Sequence, residues 1–308
     1  MGSKRYTTAG LFLALAVIWG LSFVAARAAV ADIPPVLLAA LRFDVAAVLL
    51  FAYVGLTPKR WLPRERSEWY AAVVGGTLFV AVHHALLFAG QQYVTSAVAA
   101  VVVCLDPILA AGFARVLLPD ERLSLLGGVG LLLGVGGVAV IADPESASLG
   151  GSRLAGVLLV LLAAAAFALG AVLTRRFRTS LPVPSLQAWM MLVGAVLLHL
   201  TALLFPVGSF EAVTWSRAAL AGLAYLAVVA AGVGYLLYFE LLDRVGPIEV
   251  NLVAYVAPAA AALGGWLLLQ EPLAPRTGVG FGLIAAGFVL LKRDALREEL
   301  GRLRTSQP

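Results

Sequence analysis

The sequence predicts an all-α polytopic membrane protein: ten transmembrane helices forming two inverted five-helix repeats around a central cavity. Three observations predict it. Of 308 residues, 62% are hydrophobic and only 13% charged, with a mean hydropathy of +0.97, whereas a soluble domain is about 45–50% apolar and about 25% charged. Ten stretches reach the ~20 apolar residues that a bilayer crossing requires. Finally, segments of the chain recur at an offset of about 150 residues.

The ten stretches are 9–31, 34–56, 69–89, 92–118, 124–141, 154–173, 185–205, 218–239, 246–269 and 273–291. Hydrocarbon offers no partner to a backbone N–H or C=O, so only helices or closed barrels cross it. Barrel strands alternate over about ten residues, whereas these runs are continuous and twice as long. The first follows Lys4 and Arg5, and Ala29-Val30-Ala31 resembles a cleavage site. Its apolar run from Ala9 to Ala26, followed by Arg27, favours an uncleaved helix. Short loops join the stretches. The tail 292–308 is charged, with Leu296, Leu300 and Leu303 near helical spacing.

Charge sets the expected orientation. Segments on the side of the N-terminus hold 16 Lys and Arg, and the opposite loops hold three, Arg153, Arg217 and Arg276. Such an excess marks the cytoplasmic side, so both termini are expected in the cytoplasm and the protein in a cell (inner or plasma) membrane. The net charge of +5 then reads as a topology signal, and no nucleic-acid partner is expected. Cys104 is the single cysteine, which excludes a disulfide framework. Neither a metal site nor a cofactor is expected, and no Gly-rich phosphate loop ending in Gly-Lys-Ser/Thr occurs.

The repeat is read residue by residue. Leu118–Leu123 matches Leu268–Leu273 at offset 150, as Gly128, Gly130 and Gly137 match Gly278, Gly280 and Gly287. Trp19–Arg27 aligns with Phe167–Arg175 at offset 148, and Pro107 with Pro258 at 151. The expected units are 1–146, 147–291 and a tail 292–308. Five helices per unit is an odd number, so the second unit enters the membrane from the opposite side. Inverted repeats of this kind place a substrate site near the midplane and rock about it.

Trp19-Gly20-Leu21-Ser22-Phe23, Leu41-Arg42-Phe43, Asp106-Pro107 followed by Glu121-Arg122-Leu123, and Ala257-Pro258 followed by Leu269-Gln270-Glu271-Pro272-Leu273 resemble the EamA type of the drug/metabolite transporter superfamily. The resemblance covers residues 9 to 291. It implies a ten-helix basket with a central cavity and ATP-independent export of small metabolites such as amino acids. Asp106 departs from it, since the family often has Glu before this proline.

Ionisable groups inside a membrane default to functional candidates. Arg42 and Asp44 lie about 12 and 15 Å along the second span. Arg42 would attract a carboxylate. Asp44 would carry a proton or be held by Arg42 or another helix, although residues two apart share a helix face poorly. His83 and His84 offer donors or a proton shuttle, with at most one pointing squarely inward. His199 reads as an interhelical partner. Asp106 precedes Pro107, which frees the carbonyl of Val103, and Pro258 frees that of Ala254; Pro107 and Pro258 are the expected hinges. Trp19, Trp189, Tyr235 and Tyr255 complete the expected cavity wall, whereas Trp61, Trp69 and Trp215 belong to interfacial belts. Glu121 and Glu271 read as loop structure, and the glycine stripes 127–137 and 278–287 as close-packing surfaces.

The chain is expected not to be an enzyme but a secondary transporter working by alternating access. The expected partners are a small-molecule substrate and the lipid bilayer, with the chain a monomer or weak homodimer. The rivals are a membrane-embedded lipid-modifying enzyme, which lacks its carboxylate, histidine or nucleophile cluster here, and a passive channel.

Overall fold

The computed structural model describes residues 2–57, 60–117, 125–142, 151–205, 210–291 and 293. Lys59, the motif 118–123 with Glu121, and the tail apart from Arg293 lie outside the described residues. Ten apolar helices appear where the sequence places them, and no strand occurs among the described residues. They are α1 (Gly2–Ala29), α2 (Pro35–Gly55), α3 (Arg66–Gln91), α4 (Ser96–Leu117), α5 (Leu125–Ala142), α6 (Ser152–Arg176), α7 (Val183–Leu204), α8 (Arg217–Gly246), α9 (Val253–Leu269) and α10 (Pro275–Leu291). Large apolar side chains such as Val48, Leu132, Leu203 and Leu267 point outward, a surface suited to lipid rather than water.

Local chemistry sets the ends. Pro35 at the first helical position gives α2 a preset φ. Thr95 caps α4 and Ser216 caps α8, each hydroxyl accepting from the backbone N–H three residues on. Gly246, at φ +83°, ends α8 in a conformation that disfavours side chains. Pro247 follows it, so the ninth span starts at Val253 rather than near 246.

Two glycine contacts establish the inversion. On α5 and α10, Gly130 meets Gly287, and Gly137 meets Gly280, where an added Cβ would lie 2.6 Å from the facing carbonyl oxygen. Numbering rises along one helix as it falls along the other, so α5 and α10 are antiparallel. At the repeat offset Gly130 corresponds to Gly280 and Gly137 to Gly287. Exchanging the halves therefore exchanges one contact for the other, as at an isologous interface. The axis is perpendicular to two antiparallel membrane helices and lies in the membrane plane.

The rest of the packing obeys the same operation. The pairing of α1 with α9 is matched by α6 with α4, that of α1 with α8 by α6 with α3, and that of α3 with α7 by α8 with α2. The α2–α7 pair maps onto itself. Each half also has a widened π-helical turn at a corresponding place, Gly76–Val82 in α3 and Tyr225–Val233 in α8.

The prolines behave differently from one another. In α4 the helix breaks at Cys104 and Leu105, whose N–H groups reach back only three residues, and resumes at Asp106. In α9 the helix runs straight through Pro258. Of the glycine stripes, only part is used: Gly128, Gly136, Gly278 and Gly282 have open space where a Cβ would stand.

Gly287→Val is expected to disrupt the α5–α10 contact and lower the detergent melting temperature by several degrees, as large-for-small changes cost about 1–3 kcal/mol. Gly136→Ala is expected to leave it unchanged. Thermal-shift melting of the two variants checks this, and equal melting would sink the assignment.

Candidate substrate site

The helices bring five of the nine expected site residues together. Arg42 projects from α2 into the interior and is 8% exposed. Its guanidinium lies 5.0 Å from the Phe43 ring centroid and 5.9 Å from that of Phe88 on α3. Its Nε is buried with no hydrogen-bond partner, and no ion pair to Arg42 forms among the described residues. Contact with aromatic faces returns about 0.5–2 kcal/mol, whereas burying an unpaired ion costs several kcal/mol.

His83 and His84 follow the π turn of α3. The Nδ1 of His83 donates to the Ala163 carbonyl of α6 (2.9 Å), and that of His84 to the Val80 carbonyl (3.0 Å). That tautomer leaves each Nε2 as an acceptor. The His84 ring stands edge-on to Phe43 at 4.5 Å, and His83 packs on Phe167 at 5.0 Å. Both rings therefore sit by Arg42 rather than only one.

The other wall comes from α1 and α8. Trp19 donates from Nε1 to the Ala230 carbonyl in the π turn of α8 (3.2 Å). Its ring meets Tyr238 at 5.5 Å and Tyr235 at 6.0 Å, and Gln187 donates to the Tyr235 hydroxyl at 3.4 Å. Phe167 is the repeat counterpart of Trp19, so Trp19 against Tyr235 and Phe167 against His83 are corresponding contacts made with different chemistry. Phe88, Phe167 and Gln187 were not among the site residues expected from sequence. Phe88 lies one turn beyond His84, and helical periodicity would have found it.

Four expected residues lie elsewhere. Asp44 points away from Arg42, because two positions turn a helix by about 200°. It pairs at 2.8 Å with His199 of α7, both side chains at least a third exposed on the bundle exterior. Trp189 stands beside Trp61 (6.4 Å, nearly parallel), Trp69 (5.0 Å) and Phe51 (5.2 Å), and donates to the Trp61 carbonyl at 2.9 Å. It is part of the aromatic group at the α2–α3 loop, because Trp61 and Trp69 flank that loop. Tyr255 and Asp106 lie where α4 crosses α9. The Tyr255 hydroxyl donates to the Cys104 carbonyl (3.2 Å), and Cys104 Sγ donates to the Ala254 carbonyl that Pro258 releases (3.1 Å). Cys104 thus links the two proline-containing helices.

Two clefts open outside this centre. One of 310 Å³ lies between α4, α9 and the start of α10, lined by Ala97, Val101, Pro258, Thr277 and Phe281. A groove of 480 Å³ runs along α1 and α9 past Val17, Leu21, Val256 and Leu263. Arg42 lines neither.

Polar tethers hold the loops. Glu68 accepts from Arg60, from Ser180 (3.1 Å) and from the Arg64 backbone (2.7 Å), and this bond raises the Arg60 guanidinium above its ordinary value. On the other face Ser216 donates to Asp32 at 2.5 Å; Asp32 and Ser180 are themselves 148 residues apart. Glu271 accepts from the Ser96 backbone (3.0 Å) and hydroxyl (3.2 Å), with Arg27 3.8 Å away. It caps the start of α4, which agrees with a loop role.

The comparisons follow this geometry. The profile of the EamA-like transporter family matches residues 7–142 and again 154–293. The chain belongs to the EamA-like transporter family. An uncharacterized transporter of Archaeoglobus fulgidus is 28% identical over 92% of this chain and 98% of its own length. YoaV, an uncharacterized transporter of Bacillus subtilis, is 25% identical over 90% and 94%. YedA of Escherichia coli K12, an uncharacterized inner membrane transporter, is 29% identical over 92% and 89%. A solved crystal structure shares the fold with a TM-score of 0.64 at 21% identity, covering 96% of this chain and 99% of that one. The chain is therefore a multi-pass membrane transporter rather than an enzyme.

Burial raises the Glu271 carboxyl above its ordinary value of 4.5, although Ser96 and Arg27 oppose the shift. A group raised on folding stabilises most below its unfolded value and loses that contribution as pH rises through the folded one. Wild type is expected to lose part of its melting temperature as pH rises above 4.5, a component that Glu271→Gln removes. Parallel melting curves for the two proteins across that range would contradict the assignment.

Proposed function

We propose that the protein is a secondary, ATP-independent carrier exporting small carboxylate-bearing metabolites, amino acids among them, by alternating access. The observation that carries this reading is Arg42, a buried guanidinium without an acid partner in the space between inverted halves. A substrate carboxylate would satisfy its donors in a fork geometry, and Phe43, Phe88, Trp19 and Tyr238 would take an apolar side chain. The acceptor Nε2 atoms of His83 and His84 suit an ammonium or hydroxyl on the same substrate. With substrate bound, the guanidinium is paired with the carboxylate, which lowers the cost of holding it in a low-dielectric interior.

The units 1–146 and 147–291 are the bodies that exchange conformations. The sixteen-to-three distribution of Lys and Arg supports cytoplasmic termini in an inner or plasma membrane. An inverted repeat supports a carrier over a channel, since exchange of the halves converts one open side into the other.

In liposomes holding unlabelled leucine, phenylalanine or threonine, the wild type is expected to accelerate uptake of the same labelled amino acid by counterflow. Absence of counterflow for every neutral amino acid and for simple carboxylates such as benzoate would overturn the carrier reading. Arg42→Met is expected to lower counterflow at least about tenfold, the loss of one charged hydrogen-bonded contact worth about 1.5–3 kcal/mol. Arg42→Lys is expected to be intermediate, because it keeps the charge but not the fork. A fully active Arg42→Met protein would remove Arg42 from the site.

A further inference from the structure

We propose that Asp106 is the proton-binding group of the transport cycle: it takes a proton at one open face and releases it at the other, coupling substrate export to proton entry. The proposal rests on the carrier reading above and adds the coupling ion and the residue that carries it.

The geometry at Asp106 is specific. Oδ1 is buried and has no hydrogen-bond partner. No ion pair to Asp106 forms among the described residues. Asp106 opens the resumed part of α4 and is partly buried, with Oδ1 the oxygen shut away from solvent. An ionised carboxylate held this way leaves a charged oxygen unsolvated within the membrane, at a cost of several kcal/mol. A bound proton removes the charge, and the group then becomes stable in place.

Among the described residues, the surroundings offer no counter-charge. The titratable groups facing Asp106 are Cys104 on its own helix and Tyr255 on α9. The Tyr255 hydroxyl is directed at the Cys104 carbonyl, and the Cys104 thiol at the Ala254 carbonyl. Among the other helices packed on this part of α4, α5 carries no ionisable residue. Those of α6 are at its ends, Arg153, Arg175 and Arg176, and α10 has Arg276 at its start.

Position links the proton to the motion. At the offset of 151 that pairs Pro107 with Pro258, Cys104 corresponds to Tyr255, and the two touch. The α4–α9 crossing therefore lies on the pseudo-two-fold axis, at the level where the two proline helices must exchange geometries when the carrier reverses. Asp106 is two residues beyond that crossing, and its repeat counterpart is the apolar Ala257. A charge there needs water, which only an open crossing admits; the neutral acid lets the crossing close. Asp44, the other intramembrane acid, does not meet these requirements, since His199 holds it on the exterior.

The test uses the full chain in liposomes with the labelled amino acid that gives the strongest counterflow, together with infrared difference spectra of the purified protein on a pH step. Asp106→Asn is expected to keep counterflow within about twofold, because exchange needs no net proton, and to lose at least about tenfold of pH-gradient-driven accumulation. Asp106→Glu restores it. The spectrum of the wild type shows a titrating protonated-carboxyl band that Asp106→Asn lacks. The proposal is overturned if Asp106→Asn keeps gradient-driven transport, if it loses counterflow and gradient-driven transport in equal measure while Asp106→Glu restores neither, or if the carboxyl band is unchanged. The spectroscopic result stands even where no counterflow is found, so failure of the proton site and failure of the carrier reading are separable.

Discussion

The constraint on which this structure depends is that a backbone carbonyl in hydrocarbon must have a donor. Regular helices meet it internally. At three places in these helices a side chain bonds a carbonyl at an irregular turn or a proline. Pro258 frees the Ala254 carbonyl, and Cys104 donates to it. The π turn of α8 presents the Ala230 carbonyl, and Trp19 donates to it. In the π turn of α3, His84 bonds the Val80 carbonyl. Irregular backbone and functional side chains are therefore one system: the residues that wall the Arg42 chamber are the same ones that make its distorted helices tolerable in lipid.

The sequence exposed the architecture because its signals are long and redundant. Ten apolar runs, a 150-residue offset and matched glycines each point the same way, and the isologous Gly130–Gly287 and Gly137–Gly280 contacts follow from that offset. The site was legible in part. Arg42, His83, His84, Trp19 and Tyr235 were visible as polar or amphipathic residues at mid-span. What sequence could not supply was direction around a helix whose neighbours were unknown. Arg42 and Asp44 are two residues apart, yet one faces the chamber and the other the bundle exterior. Trp189 is similarly misplaced by depth alone, since its indole is claimed by the Trp61 carbonyl. The π turns left no readable signal, because widening by one residue changes no composition.

The two halves also show how duplication yields function by divergence. The packing is symmetric, with corresponding contacts at every major helix pair, but the chemistry is not. Trp19 corresponds to Phe167, Tyr235 to the region of His83, and Asp106 to Ala257. A purely symmetric protein would have equal energies in its two orientations and no means to distinguish the sides. Polar groups confined to one half break that equality while leaving the backbone operation intact.

Charge placement completes the argument. Arg42 and Asp106 have opposite signs, and among the described residues neither forms an ion pair, with one another or elsewhere. Had evolution placed them in contact, the pair would neutralise itself, and neither would need a ligand. Kept apart, each has an unmet requirement that a mobile species can satisfy: an anion at Arg42, a proton at Asp106. Occupying either removes a charge from a low-dielectric interior, and the energy involved, several kcal/mol per ion, exceeds the few kcal/mol by which two conformations of such a carrier differ. On the proposed reading, the unoccupied groups would resist a change of access and the occupied ones would permit it, which is the physical condition for coupling rather than leakage.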